Sequence, residues 1–150
     1  MTTVTTDAET IVRRAYHAAE GNVMDVQGFV DLFTSDGMIN MGHAGQEFSG
    51  ISDATYRGDQ LGEIVLGVAK FMPDVHRELH RVNVLGDVVA VELSIRGTYK
   101  APPESAASSV QPSEAKANVP TTDFWYLRDG KIARFDCYMM FNTGGSFRTT

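Results

Sequence analysis

The sequence predicts an α+β domain, with helices packed against one face of an antiparallel sheet. Three observations carry that expectation. Apolar residues recur at helical spacing through residues 8–71. From His76 onward they alternate with polar ones. Two glycine-bearing dipeptides, Gly86-Asp87 and Asp129-Gly130, stand where that alternation breaks, as the turns of β-hairpins do.

Thr6-Asp7-Ala8-Glu9 has the form of a capping box, with Thr6 as N-cap and Glu9 reaching back to it. Behind it Ala8, Ile11, Val12, Ala15, Tyr16 and Ala19 define the buried stripe of a first helix, and Gly21-Asn22 stops it. Asp25 caps a second, short helix carrying Val26, Phe29, Val30 and Phe33. Ser35-Asp36-Gly37 then turns the chain into a short strand at residues 38–41, and residues 42–50 read as a loop or irregular hairpin. A third helix, capped by Ser52 or Asp59, presents Leu61, Ile64, Val65, Val68 and Phe71. Gly58, Gly62 and Gly67 lower its intrinsic propensity, so packing must hold it, and Pro73 ends it.

Residues 76–85 and 88–99 read as strands paired across Gly86-Asp87. Residues 100–118 are rich in Ala, Ser and Pro and read as one long loop, of a length that often serves as a lid or is a disordered excursion. Residues 121–128 and 131–141 form the last hairpin. The ordered core is expected over about residues 6–143 of a single domain, with frayed ends.

A chain of 150 residues fits one core, and 43% apolar with 21% charged residues is ordinary for a soluble globular protein. No apolar run approaches the roughly 20 residues of a membrane span. The first residues lack the basic patch and apolar run of a signal peptide, so a cytoplasmic location is expected. Cys137 is the single cysteine, which leaves no intrachain disulfide and no thiol cluster for zinc. His17, His43, His76 and His80 form no H-E-x-x-H motif. His76 and His80 are four apart, which suits a metal on a helix, but the local period places them on a strand, so no metal site is expected. A net charge of −6 disfavours nucleic acid as a partner, and the Arg13-Arg14 pair reads as a solvated helix face. No glycine-rich phosphate loop follows a strand, and Gly42-His43-Ala44-Gly45 has no helix behind it, so no cofactor is implied.

Phe33-Thr34-Ser35-Asp36-Gly37, Phe48-Ser49-Gly50, Met72-Pro73-Asp74, Gly86-Asp87-Val88-Val89-Ala90-Val91, Gly97-Thr98-Tyr99 and Asp129-Gly130-Lys131-Ile132 follow one another across most of the chain. In that order and spacing the sequence resembles the nuclear-transport-factor-2-like superfamily, and within it the SnoaL-like polyketide cyclase and ketosteroid isomerase branch. The resemblance implies a curved antiparallel sheet wrapped around the N-terminal helices, a cone-shaped, cystatin-like roll with one apolar pocket. It leaves the chemistry open, because this fold hosts enzymes, binders and assembly modules alike.

Strand phase decides what such a pocket contains. The turn at Gly86-Asp87 sets Val84 opposite Val89, Val82 opposite Val91, His80 opposite Leu93 and Glu78 opposite Ile95, an inward set; Arg81 and Glu92 pair on the other face. At Asp129-Gly130 the resemblance favours a three-residue bulged loop, which pairs Leu127 with Lys131, Trp125 with Ala133, Asp123 with Phe135 and Thr121 with Cys137. Asp123, Trp125, Phe135, Cys137 and Met139 then face inward, and Met41, Val91, Leu93 and Phe71 complete the lining. A strict two-residue turn would exchange a face and bring Asp136 inward in place of Cys137. Phe124, Tyr126, Tyr138 and Met140 fall on the outer face, where bare aromatic side chains predict a homodimer packed sheet against sheet.

Asp123 is the sharpest candidate for chemistry. Between Trp125 and Phe135 its carboxyl is desolvated, which raises its pKa and lets it donate a hydrogen bond or act as a general acid. Its place, seven residues before Gly130, resembles that of a pocket acid in ketosteroid isomerases. The plainer alternative is that it caps loop amides or pairs with an arginine. Tyr16 lies where the resemblance implies a tyrosine donor, and it also fits a core tyrosine with a satisfied hydroxyl. His80 among inward valines is either a general base near neutrality or a satisfied core residue. Glu78 reads as a solvated carboxylate near the rim, and Cys137 as a small packing residue.

The catalytic sets that the resemblance implies are incomplete. The base aspartate of ketosteroid isomerases falls at about Met41. The Arg and Asp residues of limonene-epoxide-hydrolase-like members fall at Leu93, Ile95 and Cys137. The acid of SnoaL-like cyclases falls at Cys137, with Asp136 facing away. Three readings therefore stand: a cyclase or isomerase acting on an apolar carbonyl compound through Asp123, His80 and Tyr16; a non-catalytic module holding a hydrophobic ligand; and an assembly module working through the outer sheet face.

Overall fold

The period-two segments pair into one six-stranded, curved and unclosed sheet in a computed structural model of the chain, with the helices against its concave face. The described residues are 3–41, 55–98, 100 and 116–139, the side chains of 3–6 and 71 excepted. The elements run α1 (Thr3–Ala18), α2 (Val26–Val30), β1 (Phe33–Met41), β2 (Thr55–Arg57), α3 (Gln60–Phe71), β3 (His76–Leu85), β4 (Val88–Thr98), β5 (Lys116–Arg128) and β6 (Lys131–Met139). The strand order is β2-β1-β6-β5-β4-β3. Neighbours are antiparallel except β1 and β6, which run parallel, so the first strand joins the meander through its last member.

α1 buries the expected stripe: Ala8, Val12, Ala15, Tyr16 and Ala19 are buried, and Ile11 packs against them. The helix begins at Thr3, so Thr6 lies inside it and does not cap its start; nothing in Thr-Val-Thr-Thr, neither Pro nor Gly, stops the ladder. Asp25 does cap α2, its carboxylate accepting from the Gly28 amide at 2.9 Å. Asp59 precedes α3 without a side-chain cap. α3 buries Leu61 and Val65, with Ile64 and Val68 packed against the core. Gly62 is what allows α2 and α3 to touch, since a Cβ there would stand 2.9 Å from Cγ1 of Val26.

Three strand boundaries differ from expectation. β1 starts at Phe33, and the Ser35-Asp36-Gly37 turn is absorbed as a register shift between Phe33 and Met38. β2 was not foreseen. β5 starts at Lys116, which shortens the expected loop; Ala117 and Val119 are buried, while Pro120 points to solvent opposite Ser94. Pro120 hid this strand from the sequence. Residues 42–54, 99, 101–115 and 140–150, with the expected loops, Phe48, Ser52 and Met140, lie outside the described residues.

The first hairpin turns in two residues, with Gly86 at φ 63°, and pairs Val84 with Val89 and Val82 with Val91 as expected. A bulge between Leu79 and Arg81 then breaks the register. Leu79, not His80, meets Leu93; Glu78 meets Ser94 and Arg77 meets Ile95. The extra residue places Leu79 toward the core and turns both His80 and Arg81 to water, a better partition of apolar and polar groups than strict alternation allows.

The last hairpin also turns in two residues, Asp129 and Gly130 both having positive φ (52° and 77°), which suits a type I′ turn. Arg128 pairs with Lys131 and Leu127 with Ile132, so the expected three-residue loop is replaced. A register shift after Tyr126 inserts Ala133, and the pairs become Trp125 with Phe135, Asp123 with Cys137 and Thr121 with Met139. The expected pairs are overturned, yet the inward set stands. The tighter turn would exchange faces, and the bulge exchanges them back.

Candidate functional site

One helix and two strands converge on a buried carboxyl. Tyr16 projects from the last turn of α1, Asp123 and Trp125 from β5, and Phe135 and Cys137 from β6. The Tyr16 hydroxyl donates to Oδ2 of Asp123 at 2.6 Å and accepts from Nε1 of Trp125 at 3.0 Å. The Tyr16 and Trp125 rings meet edge to face at 5.2 Å, and Trp125 stacks on Phe135 at 3.8 Å between centroids. These contacts fix the rotamers that hold Asp123 in place. Asp123 is 2% exposed, and its Oδ1 has no hydrogen-bonding partner among the described residues.

Burial without full hydrogen bonding sets the electrostatics. Desolvation raises the Asp123 pKa to about 6, while the Tyr16 hydroxyl, the Cys137 thiol and the positive charge of Arg77 each favour the ionised form. Burial, and then Asp123 itself, push Tyr16 and Cys137 well above their ordinary values, so both stay protonated across neutral pH. Asp123 alone in this cluster changes charge near neutrality.

Val91 lies opposite Asp123 and Leu93 opposite Thr121, both buried. Met41 adjoins Cys137, and Met139 and Phe135 complete that side; all three are half-buried among the described residues. Phe71 is the last residue of α3, and its side chain lies outside the description. His80 is not inside. Its side chain is 48% exposed, and Nε2 lies 2.8 Å from the Ser94 hydroxyl on the outer face. Glu78 lies 3.9 Å from that same nitrogen, not from Nδ1, so the trio lacks the arrangement that orients a base toward a nucleophile. Glu78 is solvated, as expected, and pairs with Arg96. His76 is held separately by Glu20 at 2.9 Å.

The SnoaL-like domain family model matches residues 12–135. The chain belongs to that family. No match is found among curated proteins. Among solved structures, this SnoaL-like domain is similar to a candidate SnoaL-like polyketide cyclase from Jannaschia sp. CCS1, with 18% identity over 93% of this chain and 89% of that one and a TM-score of 0.72. It is also similar to IdmH, a candidate polyketide cyclase from Streptomyces antibioticus, with 18% identity, 88% and 91% coverage and a TM-score of 0.66. A third is a hypothetical protein with a ketosteroid isomerase-like fold from Catenulispora acidiphila, with 22% identity, 85% and 83% coverage and a TM-score of 0.64. At such identities the likeness is one of fold.

In this SnoaL-like domain Met41 and Cys137 stand side by side where the family resemblance placed acids, and Asp123 is the one carboxylate on the described inner face. Two polar features escaped the sequence reading. Arg77 faces inward, with NH1 donating to the Ala19 carbonyl at 2.8 Å; its phase became readable only once the bulge at His80 was known. On the outer face Asp136, 2% exposed, accepts from Asn40 at 2.7 Å and from Arg134 at 2.6 to 3.0 Å. Around it Phe124 meets Tyr138 edge to face at 5.9 Å, and Arg134 lies 5.1 Å over the Tyr126 ring. No helix among the described residues is long and apolar enough to cross a membrane.

Proposed function

We propose that this SnoaL-like domain is an acid/base enzyme of the cyclase or isomerase type, acting on an apolar carbonyl compound bound against the concave sheet face. The observation that supports it is Oδ1 of Asp123, without a hydrogen-bonding partner among the described residues, on a carboxyl whose pKa is raised to about 6. Such a group is ionised at neutral pH but holds a proton readily, which suits removal of a proton beside a carbonyl and its return at another carbon. Oδ1 is the free oxygen, and because it is closed off from solvent a substrate reaches it only by displacing what covers it. Tyr16, through Oδ2, is a positioning residue that keeps the carboxyl ionisable. His80 takes no part, because it lies on the opposite face. A cytoplasmic location and a homodimer joined through Phe124, Tyr126 and Tyr138 go with this reading, the latter because those rings are only half-buried in the single chain.

The test uses 2-tetralone, an apolar bicyclic ketone, in deuterated buffer. The protein is expected to accelerate exchange at the carbon beside the carbonyl, and Asp123→Asn to return the rate to that of buffer. Acceleration that survives in Asp123→Asn removes the role of this carboxyl. The second reading, a non-catalytic module for a hydrophobic ligand, is favoured by the neutral side chains of Met41 and Cys137 beside Asp123; binding of 2-tetralone without exchange would select it.

A further inference from the structure

Arg77 is a second polar side chain turned toward the concave interior, and the acid/base reading leaves it without a task. The bulge at His80 sets its phase: Leu79 meets Leu93, and Arg77 meets Ile95, itself 7% exposed on the inner face. Arg77 is half-buried, and among the described residues none of its guanidinium nitrogens is closed off from solvent without a partner, so its charge stays available to a ligand. Here NH1 reaches the Ala19 carbonyl, a neutral acceptor that satisfies one of five N–H donors. No ion pair to Arg77 forms among the described residues. The nearby Glu20 carboxylate is engaged otherwise, accepting the Arg77 backbone amide at 3.1 Å and facing His76.

The cation and the buried carboxyl are fastened to the same end of α1. Tyr16 holds Asp123, and Ala19, three residues on, holds Arg77. Three residues are about 4.5 Å of helix rise, so the two anchor points lie within a single turn. The charge of Arg77 is felt at both Asp123 and Cys137. Between them lie the apolar side chains of Val91, Leu93 and Ile95.

We propose that Arg77 is a specificity residue that binds a carboxylate on the ligand, so that the ligand class is an apolar acid. Its guanidinium fork matches a carboxylate with two parallel hydrogen bonds, while the aliphatic remainder of the ligand displaces what covers Val91, Leu93 and Ile95, at 0%, 2% and 7% exposed, on the way toward Asp123. The proposal rests on the reading of the Asp123 surroundings as a ligand site. It gives the guanidinium a partner of opposite charge that the described residues do not supply, which a cap for the end of α1 does not require.

The experiment titrates the protein with 2-naphthoate and with 2-naphthamide, which share shape and differ in charge, at pH 7. The expected result is roughly tenfold tighter binding of the acid than of the amide, the size of one charge-assisted hydrogen-bonding interaction. Arg77→Gln is expected to lose that preference while binding the amide unchanged, a readout that a purely structural role would not move. Should Arg77→Gln fail to fold, Arg77→Lys decides: it keeps the charge but not the fork, so a severalfold loss for the acid alone is expected, and no change for either probe overturns the proposal. Equal binding of acid and amide by the unaltered protein, or binding of neither, also overturns it. Catalysed exchange of 2-tetralone without any preference for naphthoate removes Arg77 and leaves Asp123; a preference for naphthoate without exchange does the reverse.

Discussion

The Tyr16 hydroxyl donates to Oδ2 of Asp123 at 2.6 Å across 107 positions of chain, and Oδ1 of the same carboxyl meets no partner among the described residues. One oxygen is satisfied and the other is not, so burial prevails and the pKa rises. The sign of the stability effect follows. The folded-state pKa of about 6 exceeds the unfolded value of about 3.9, so the folded state binds the extra proton between them. The contribution of this group is fully present below the unfolded pKa and is lost as pH rises through about 6, a change on the order of 3 kcal/mol. Asp123→Asn does not titrate. It is therefore expected to be more stable than the unaltered protein at pH 8, by up to about 3 kcal/mol, and to lose that advantage by pH 4. Urea unfolding at the two pH values checks this, and an advantage independent of pH contradicts it.

Tyr16→Phe removes the hydrogen bond that favours ionised Asp123. The Asp123 midpoint is expected to move above about 6, and the exchange proposed for 2-tetralone to shift its pH profile the same way. Trp125 also loses the acceptor for its Nε1 proton, so stability falls by about 1–3 kcal/mol. A carbon-13 titration of the Asp123 carboxyl measures the first effect; a midpoint that stays or falls would show that Tyr16 does not control it.

Helix positions, the family and the inward face of the last hairpin were legible in the sequence because they depend on periodicity over many residues. A hydrophobic stripe such as Ala8, Val12, Ala15 and Ala19 averages out local exceptions. Bulges do not average out. His80 and Ala133 each shift a register by one residue, and neither carries a glycine or proline to announce it. His80 was misplaced for that reason, and Arg77 was missed for the same one. The inward phase of Asp123 was legible despite a wrong pairing because the errors at Gly130 and Ala133 cancel in parity. Asp136 shows the complementary limit. Its outward phase was legible, but its burial depends on Asn40 and Arg134, one on a strand distant in sequence, and alternation says nothing of such partners.

Two glycines of α3 separate propensity from packing. A Cβ at Gly67 meets nothing within 4 Å, whereas one at Gly62 stands 2.9 Å from Cγ1 of the β-branched, stiff Val26. Gly67→Ala is expected to stabilise the protein by about 0.5–1 kcal/mol, the helix-propensity gain. Gly62→Ala must move α2 or α3 to realise the same gain, and is expected to destabilise by about 1 kcal/mol or more. Thermal unfolding of both variants checks the contrast; equal shifts would mean that α2 and α3 do not pack closely in solution.

Two ion pairs of the outer face test how burial sets the worth of a charge. Arg81 and Glu92 lie 3.4 Å apart with side chains 70% and 51% exposed, so Glu92→Ala is expected to change stability by less than about 0.5 kcal/mol. Asp136 is 3% exposed in its side chain and takes hydrogen bonds from Asn40 on β1 and Arg134 on β6, the strands whose parallel pairing closes β1 onto the meander. Asn40 in turn accepts from Thr55 on β2, so a single carboxylate organises three strands. Arg134 is half exposed and can return to water when its partner is removed, which lowers the cost below that of a fully buried pair. Asp136→Ala is therefore expected to cost about 2–3 kcal/mol, with hydrogen exchange quickened first in β1 and β2. A loss no larger than that of Glu92→Ala, or exchange quickened uniformly, would show that the aromatic side chains around Asp136, and not its hydrogen bonds, hold those strands.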